Sequence, residues 1–376
     1  MDKTVFGNDM QVYKDEKFRF IEYFNTKTGL LVRSNVFNEN VDTGKEPFMR
    51  SFPELLDIGI MGNCHVSKKN ICKSAGIDCY QSAISKIRPN MEVCDYKSII
   101  EQCEGRVFQV ALGGAGDPNK HKNFEEILLL TREAEIVPNL TTSGIELTDY
   151  EVKIIKKYCG AVAVSFYSRL IHNNQETNIA TIDAIERLVA ENCIVNTHFV
   201  LSTDTIQEAI VRLRNGLFPH GINAVIFILY KPVGLGKQEK VLSVNNLYFN
   251  EFLELVNTQK FDFKIGFDTC HTPALINRCS NISEQSLDAC EAARFSMYID
   301  RDLIAYPCSF DCMSQEFAES LRIKSIDEVW WSDTFNLFRN RQIDACDQCS
   351  KKKLCMSGCV LNIDLNICGQ KDRSIL

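Results

Sequence analysis

The cysteines constrain this chain more than any other feature: 17 of them, an odd number, stand among 376 residues. Cys346, Cys349, Cys355 and Cys359 follow the spacing Cys-x2-Cys-x5-Cys-x3-Cys, and Cys368 comes shortly after. Random placement would give such a spacing with a probability of about 0.002. Close thiolates on short loops are what a metal or iron–sulfur centre requires, because several soft ligands converge with little loss of loop entropy. A structural zinc ribbon is the alternative that these residues leave open.

The rest of the sequence favours a reducing compartment. The amino-terminal residues are polar and lack the apolar run of a signal peptide. The longest apolar runs, such as 224–230, fall far short of the roughly 20 residues that a membrane helix needs. Cytoplasmic thiols stay reduced, so cysteine clusters there more often bind metal or carry out chemistry. A net charge of -7 disfavours nucleic acid as a partner. We expect a cytoplasmic protein with neither a membrane nor a nucleic-acid partner.

Three regions are predicted from the hydrophobic pattern. Within residues 1–50, two β-rich runs at 18–24 and 30–36 flank a turn ending at Gly29, which predicts a hairpin. Across 51–260, short apolar runs alternate with amphipathic helical stretches, which predicts a parallel sheet with crossover helices. The fold class is therefore α/β, and six such units indicate an open sheet or a partial (β/α)6 barrel. Across 261–376 the alternation stops and cysteines become dense, which predicts a separate cysteine-rich domain.

The element boundaries expected within the barrel are specific. The predicted strands are 55–61, 107–112, 136–140, 161–165, 194–201 and 224–230. The predicted helices include 123–134, 149–158 and 179–191. Parallel α/β folds bind ligands beyond the carboxyl ends of their strands, so the segments that follow these runs form the candidate site.

Cys64, Cys72 and Cys79 follow the first predicted strand. Three cysteines, rather than four, would leave one position of a metal centre open to an outside ligand, which distinguishes a catalytic centre from a closed structural one. The glycine-rich segment 113–118 follows the second strand. It is neither a P-loop, since no Gly-Lys-Ser/Thr follows, nor a dinucleotide fingerprint, since the third glycine is absent. A tight turn is its alternative interpretation.

Polar or glycine-containing segments also follow the later strands, and together they predict one lined pocket. They contain Thr142 and Ser143, then Ser165 and Arg169, then Val233 and Gly234.

Over about residues 51–376, the sequence resembles the radical S-adenosylmethionine (radical SAM) enzymes with a carboxyl-terminal SPASM domain, many of which mature ribosomally made peptides. The cysteine run at 346–359 with Cys368 matches the SPASM motif. The segment from Cys290 to Cys308 resembles the paired-cysteine hairpin of that domain, although Leu303 stands where the family usually has glycine.

The resemblance implies three 4Fe–4S clusters, one radical SAM cluster and two auxiliary ones. The radical SAM cluster would be held by Cys64, Cys72 and Cys79. Their spacing is longer than the family's Cys-x3-Cys-x2-Cys, and we interpret the extra residues as a loop insertion. One auxiliary cluster would be held by Cys346, Cys349, Cys355 and Cys368. The other would be held by Cys290, Cys308 and Cys359, with Cys270 as the fourth ligand and Cys279 and Cys312 as competitors for that place.

S-adenosylmethionine is the second cofactor that the resemblance implies. Gly113, Gly114 and Gly116 would form a lengthened counterpart of the family's Gly-Gly-Glu-Pro motif, with Asp117 supplying the carboxylate for the methionyl amino group. The remaining contacts would come from Thr142 and Ser143 at the third strand, Ser165 and Arg169 near the ribose or carboxylate, and Val233 and Gly234 beside the adenine.

The activity implied is reductive cleavage of S-adenosylmethionine to a 5′-deoxyadenosyl radical, which then takes hydrogen from a substrate. The favoured substrate is a ribosomally made peptide, with or without a leader peptide, and the expected reductant is a flavodoxin or ferredoxin. One alternative is a SPASM enzyme acting on a folded protein or small molecule. An alternative of another class is a non-catalytic binding protein stabilised by zinc or iron–sulfur. The amino-terminal hairpin would either recognise a leader peptide by strand addition or cover the barrel.

Overall fold

The structure is a computed structural model that describes residues 4–6, 9–39, 41–83, 87–341, 343–362, 365 and 367–369. Its strands are β1 (Thr4–Phe6), β2 (Met10–Asp15), β3 (Phe20–Asn25), β4 (Leu31–Arg33), β5 (Phe37–Asn38), β6 (Val41–Asp42), β7 (Leu55–Met61), β8 (Gln109–Gly114), β9 (Val137–Thr142), β10 (Val162–Ser165), β11 (Val195–Leu201), β12 (Ala224–Leu229), β13 (Lys264–Phe267), β14 (Ser296–Ile299), β15 (Ile304–Tyr306) and β16 (Glu319–Ser320).

The helices, in chain order, are α1 (Ile71–Ser74), α2 (Val93–Cys103), α3 (Phe124–Glu133), α4 (Asp149–Tyr158), α5 (Ile179–Ala190), α6 (Ile206–Asn215), α7 (Leu247–Thr258), α8 (Thr272–Arg278), α9 (Ile326–Trp330), α10 (Asp333–Asn340) and α11 (Lys352–Cys355). Within the described ranges, none of them combines the length and the apolar character that crossing a bilayer would take.

Strands β7 to β13 lie side by side in chain order, and every ladder between them is parallel. At least one α-helix connects each pair of neighbours. Right-handed crossovers in this sequential order place all the connecting helices on one face of the sheet, so the opposite face lines an interior. The predicted α/β fold class is confirmed, and the six predicted strands are present with boundaries shifted by no more than two residues.

Helix α5 shows how the connecting helices bury one face. Its buried residues are Thr181, Ala184, Ile185 and Leu188, which follow the i, i+3, i+4, i+7 spacing of a helical stripe. The sequence predicts a stripe of Ile182, Ile185, Leu188 and Val189, at spacing i, i+3, i+6, i+7. The stripe observed is rotated toward the small residues, because they allow the helix to pack closely on the sheet.

The parallel sheet continues one strand beyond residue 260. Strand β13 pairs with β12 from Ala224↔Lys264 to Phe227↔Phe267, and α8 follows it. No apolar run marks β13, because Lys264 and Gly266 interrupt it. A short strand with a lysine is typical of a sheet edge, where charge discourages pairing with other chains.

The cysteine-rich region extends this same sheet on the other side. Strand β14 pairs in parallel with β7, from Ser296↔Leu55 to Ile299↔Ile58, and antiparallel with β15, which in turn pairs with β16. The hairpin expected between Cys290 and Cys308 is therefore present. Strand β7 has hydrogen-bonded neighbours on both sides, β8 and β14.

Leu303 occupies the turn of this hairpin with a φ of 64°, in the left-handed region. Its amide donates to the Asp300 carbonyl at 3.0 Å, and its own carbonyl accepts from Leu321 at 2.8 Å. The side chain is only 5% exposed. Left-handed backbone costs an L-residue about 1–2 kcal/mol. Burial of a leucine side chain offsets that cost, so the turn keeps a glycine-type conformation without glycine.

The amino-terminal region forms a separate antiparallel sheet in the order β1-β2-β3-β4. The predicted hairpin is present as β3 and β4, and the Gly29 amide donates to the Asn25 carbonyl at 2.8 Å across its turn. Strands β1 and β2 do not follow from the hydrophobic pattern of the sequence. Strand β2 reads Met-Gln-Val-Tyr-Lys-Asp, and its polar residues hide the strand although Gln11 and Asp15 are buried.

Buried ion pairs join this sheet to the barrel and to the cysteine-rich region. Arg33 on β4 pairs with Glu54 just before β7 and, at 2.6 Å, with Glu291 next to Cys290. Arg50 pairs with Glu22 at 2.8 Å, and neither side chain reaches solvent. Burial and the Glu22 carboxylate raise the pKa of Glu54 to about 8 against the pull of Arg33. Acidic groups outnumber the two arginines here, which favours a protonated Glu54 near neutral pH.

We predict that Leu303→Gly destabilises the chain less than Leu303→Ala does. Both variants lose the buried side chain, a loss of about 2–5 kcal/mol for leucine in a core. Only glycine also removes the left-handed strain, so it should retain about 1 kcal/mol more stability than alanine. Urea unfolding of the two variants measures the difference. At most positions in proteins, glycine is less stabilising than alanine. If the glycine variant were also the less stable one here, the assigned backbone conformation would be contradicted.

Candidate functional site

Cys64, Cys72 and Cys79 lie on the loop that follows β7, and all three line one small cavity. Helix α1 carries Cys72, whose carbonyl accepts hydrogen bonds from Ala75 at 3.1 Å and Ile77 at 3.0 Å. Burial raises the pKa of Cys72 to about 12, and nearby Cys79 and Cys64 add to the rise. Burial likewise raises the pKa of Cys64. These thiols therefore stay protonated unless a cation compensates their charge.

The three thiols share one cavity, which suits the ligands of an iron–sulfur cluster. No group of three or more His, Cys, Asp or Glu side chains among the described residues is placed to hold one metal ion. In an iron–sulfur cluster each thiolate binds a different iron atom, so cluster ligands need not converge on one point. Three thiols sharing one cavity, with a fourth position left open, match that donor set.

The glycine-rich segment after β8 runs so close to the cysteine loop that side chains do not fit. A Cβ on Gly116 would lie 2.2 Å from the Asn63 carbonyl oxygen and 2.9 Å from the Cys64 Cα. Gly114 has a φ of 120°, and a Cβ there would lie 2.7 Å from the Met61 carbonyl oxygen. Gly113 differs, because its Cβ would meet only the Asp57 carboxylate, at 3.9 Å. Close backbone approach therefore requires two of the three predicted glycines.

Asp117 lies at the end of this segment and is buried against the strand that follows. Ser143 donates to its carboxylate twice, from the amide at 2.9 Å and from the hydroxyl at 2.5 Å. The His65 Nε2 lies 4.0 Å from the Asp117 Oδ2. Burial raises the pKa of Asp117, although the Ser143 hydrogen bonds and His65 oppose the rise. A fixed carboxylate thus stands close enough to the Cys64 and Cys72 thiols to influence their pKa values.

The other polar residues singled out in the sequence have different surroundings. The Thr142 hydroxyl donates to Asn119 at 2.9 Å and accepts from the Gly144 amide, so it shapes the turn after β9. Ser165 shares a hydrogen bond with Tyr167, whose hydroxyl also bonds the Cys72 thiol. The Tyr167 hydroxyl therefore links β10 to the cysteine loop.

Arg169 braces the cysteine loop from outside. Its guanidinium forms an ion pair with Glu208 and reaches the Asp204 carbonyl at 2.9 Å. It also lies against Gly76, where a Cβ would be 2.6 Å from the Arg169 Nη1. These contacts use most of the guanidinium donors, so Arg169 serves to hold the cysteine loop in place.

Gly234, next to Val233, lies directly against the far side of the cysteine loop. Gly234 has a φ of 66°, and a Cβ there would lie 2.1 Å from the Tyr80 carbonyl oxygen. The next amide, of Leu235, donates to the Cys79 carbonyl at 3.0 Å. The loop that follows β12 thus clamps the end of the cysteine loop that carries Cys79.

Further anchors of the cysteine loop are absent from the sequence analysis. Tyr230 donates to Asp78 at 2.8 Å, and Lys240 pairs with the same carboxylate at 2.9 Å. Lys240 also pairs with Asp204 at 3.2 Å. A sequence motif does not reveal these contacts, because Tyr230 and Lys240 lie more than 100 residues from the cysteine loop along the chain.

Among the carboxyl-terminal cysteines, Cys270, Cys290, Cys308 and Cys359 lie together. The thiols of Cys270 and Cys359 share a hydrogen bond, which raises the pKa of Cys270 and lowers that of Cys359. Cys290 and Cys308 are near enough to affect the titration of Cys359.

The two competitors for the place of Cys270 lie elsewhere. Cys279 is buried, and its thiol approaches the Leu253 carbonyl at 3.6 Å. The Cys312 thiol lies 3.9 Å from the Gln81 side-chain oxygen. The structure therefore groups Cys270, and neither competitor, with the other three.

Cys346 ends a 3-10 turn, and Cys349 closes the turn that follows it. Cys346, Cys355 and Cys368 are buried, whereas Cys349 is partly exposed. The Cys349 amide donates to the Cys346 carbonyl at 3.0 Å, and Cys355 ends helix α11. All 17 cysteines are free of disulfide bonds.

A buried carboxyl that the sequence analysis did not identify lies on the interior face of the sheet. The carboxyl group of Asp57 on β7 has no hydrogen-bond partner within the described part of the chain, and burial raises its pKa to about 7. Its charge raises the pKa values of Tyr80 and Tyr298, in addition to the effect of burial. The Tyr298 hydroxyl fills the space beside Gly59, where a Cβ would lie 2.3 Å away. Asp57 thus lies close to two tyrosines.

A cavity of about 390 Å³ lies toward the amino-terminal ends of the strands, beneath the turn between β3 and β4. Amide side chains line it and pair with one another: Asn139 donates to Gln109 at 2.9 Å, and Asn223 donates to Asn196 at 2.8 Å. His198 also lines it, and burial lowers the pKa of this histidine to about 4. His198 is therefore neutral at physiological pH.

Comparison with known proteins shows the fold. No family model matches the chain, and no curated protein does either. Among solved structures, SuiB of Streptococcus suis bound to S-adenosylmethionine aligns over 95% of both chains with a TM-score of 0.69 and 16% identity. SuiB bound to the precursor peptide SuiA aligns with a TM-score of 0.70, 16% identity and the same coverage. The protein anSMEcpe with bound AdoMet aligns over 82% of this chain and 89% of its own, with a TM-score of 0.58 and 17% identity.

The chain therefore has the fold of these S-adenosylmethionine-binding proteins. The resemblance inferred from the sequence is confirmed at the level of the fold, and the similarity to SuiB extends beyond residues 51–376, since 95% of the chain aligns.

We predict that Gly116→Ala disturbs the cysteine loop, whereas Gly113→Ala is tolerated. The added methyl group at 116 would overlap the Asn63 carbonyl, and overpacking of this kind costs about 1–3 kcal/mol. At 113 the same methyl group makes an ordinary contact, so the cost should stay below about 0.5 kcal/mol. The two substituted positions are three residues apart in one segment. Thermal unfolding compares the stability of the two variants. Equal stability of the two would show that the segments do not approach as described.

We also predict that Asp57→Asn becomes more stabilising, relative to the natural chain, as the pH rises from 5 to 7. The unfolded carboxyl loses its proton near its ordinary pKa of about 4, but the folded one keeps it up to about 7. The unfolded state therefore binds fewer protons in this window, and stability falls by up to about 1.4 kcal/mol per pH unit. Denaturant unfolding at several pH values measures the difference in the free energy of unfolding between the variant and the natural chain. The exposed carboxyl variant Asp262→Asn is the control, and a pH-independent gap for Asp57→Asn would contradict the burial of an unpaired carboxyl.

Proposed function

We propose that this chain is a radical SAM enzyme with a SPASM domain, and that it modifies a ribosomally made peptide. The fold supports this proposal, because SuiB was solved with S-adenosylmethionine and with the precursor peptide SuiA, and anSMEcpe with AdoMet and the Cp18Cys peptide. In this proposal residues 51–260 hold S-adenosylmethionine, residues 261–376 hold two auxiliary clusters, and residues 1–50 cover the barrel.

The observation that carries the proposal is the meeting of two segments at the carboxyl ends of neighbouring strands. After β7 come three cysteines that share one cavity, and after β8 comes a glycine segment whose backbone lies against Cys64. This is where parallel α/β sheets bind their ligands. Asp117, held by Ser143, places a carboxylate beside the thiols.

Each residue has a definite task in this proposal. Cys64, Cys72 and Cys79 hold the 4Fe–4S cluster, and Asp117 accepts a hydrogen bond from the methionyl ammonium group. Gly114 and Gly116 admit the ligand by close backbone approach, and Gly234 and Val233 form the opposite wall. Tyr167 and Arg169 fix the loop so that the thiols keep their positions. When bound, the reduced cluster supplies the electron that cleaves S-adenosylmethionine to the 5′-deoxyadenosyl radical.

The proposal assigns Cys270, Cys290, Cys308 and Cys359 to one auxiliary cluster and Cys346, Cys349, Cys355 and Cys368 to the other. The meeting of the first four thiols and the burial of most of the second set support these assignments. The electron donor is a flavodoxin or ferredoxin, and the protein works in the cytoplasm, where free thiols persist.

The first experiment is anaerobic reconstitution with iron and sulfide, followed by dithionite and S-adenosylmethionine. We expect the natural chain to release 5′-deoxyadenosine, measured by liquid chromatography. The variant with Cys64, Cys72 and Cys79 all replaced by alanine should release none, because the open coordination position is lost. The control is Cys94→Ala, an exposed cysteine on α2, which should retain the activity. A chain with intact clusters that releases no 5′-deoxyadenosine would disprove the proposed activity.

A second experiment tests the substrate class. A peptide encoded by a short reading frame beside the gene is incubated with the reconstituted protein, and its mass is measured with and without S-adenosylmethionine. A change of mass that requires S-adenosylmethionine supports a peptide substrate. Release of 5′-deoxyadenosine without any change in the peptide would favour a folded protein or a small molecule instead.

A further inference from the structure

A buried ammonium group lies beside the cysteines grouped around Cys270. Lys231 follows strand β12 and is only 6% exposed. Its Nζ donates to the Asp268 Oδ2 at 2.6 Å and to the Leu229 carbonyl at 3.0 Å. The same Nζ lies 4.5 Å from the centre of the Phe310 ring, two residues beyond Cys308. Carboxylate, carbonyl and aromatic ring together fix the position of the charge.

Lys231 and Asp268 form a buried ion pair, with the Nζ 2.6 Å from the Oδ2. His271 shares the carboxylate through its Nδ1, which lies 2.6 Å from the Asp268 Oδ1. The carboxylate is therefore held between two partners, and the ammonium group is fixed beside it.

The ammonium group lies between the segments that carry two of the thiols. Its Nζ bonds the carboxylate of Asp268, two residues before Cys270. The same Nζ lies over the ring of Phe310, two residues after Cys308. A buried positive charge between these segments stabilises negative charge on the sulfur atoms that they carry.

Stability alone does not account for a charge in this place. A buried ion pair loses most of its attraction to desolvation, and apolar residues of similar volume serve stability as well or better. A charge that is kept buried beside thiolates instead influences whatever negative charge those thiolates carry, because the low dielectric of the interior strengthens the interaction.

We propose that Lys231 sets the reduction potential of the auxiliary cluster held by Cys270, Cys290, Cys308 and Cys359. This inference rests on the proposed function, which assigns a cluster to these four cysteines. One-electron reduction adds one negative charge to the cluster and neither forms nor breaks a bond to the protein. The Lys231 ammonium stabilises that added charge, so it raises the potential and favours transfer of one electron from the substrate radical that loss of a hydrogen atom leaves, which is oxidised in this step. Lys231 is a positioning residue for charge and does not touch the substrate.

The experiment is a redox titration of the reconstituted protein followed by electron paramagnetic resonance. It uses the variant that lacks Cys64, Cys72 and Cys79, so that only auxiliary clusters contribute to the signal. In this background, Lys231→Met should lower one of two midpoint potentials, so that the ratio of reduced to oxidised cluster at a fixed potential falls at least tenfold, which is 59 mV for one electron. Asp268→Asn should shift the same potential upward, because it removes the opposing charge.

The control is Lys264→Met, which removes an exposed lysine at the other end of strand β13 and should leave both potentials unchanged. Unchanged potentials in Lys231→Met and Asp268→Asn, with both clusters present, would overturn the inference but leave the proposed function intact. Absence of two auxiliary signals in the unsubstituted background would count against the cluster assignment itself. If Lys231→Met fails to take up iron, the upward shift in Asp268→Asn decides the matter alone.

Discussion

Strand β7 is hydrogen-bonded on both of its sides, and the remaining architecture depends on that double pairing. Its ladder with β8 sets the cysteine loop beside the glycine segment, since neighbouring parallel strands end at the same edge. Its ladder with β14 fixes the hairpin that leads to Cys308. One strand therefore determines the position of both a barrel loop and the cysteine-rich region. Edge placement of β7, as in an isolated barrel, would leave the second group of cysteines without a fixed position.

The cysteine loop itself has little regular structure, and its shape comes from the segments around it. The glycine segment after β8 packs against Cys64, and the loop after β12 packs against Tyr80 and Cys79. Tyr167 and Arg169, after β10, complete the enclosure. Clamping from several strands explains how an unusually long cysteine spacing still brings three thiols to one cavity: residues 65–71 and 73–78 fold against neighbours rather than extending the distance between ligands.

Sequence reasoning predicted the barrel strands and the shared cavity of Cys64, Cys72 and Cys79, because apolar runs mark buried strands and strand ends mark sites. It missed β13, an edge strand interrupted by Lys264, and it did not foresee that Leu303 would adopt a left-handed turn supported by burial. Asp57 and Lys231 escaped functional assignment for another reason. A single buried charged residue has no spacing or period, and only the three-dimensional packing shows which groups surround it.

The ion pairs of Arg33 have a consequence for how this protein can be divided or recombined. One guanidinium bridges the amino-terminal sheet, the entrance to β7 and the segment beside Cys290. Removing the first fifty residues would take away Arg33, the guanidinium that bonds both the Glu54 and the Glu291 carboxyl groups. The amino-terminal sheet is thus an integral part of the fold and not a module that can be exchanged independently. A chimaera that borrows this sheet from a relative would need to carry the matching acidic residues with it.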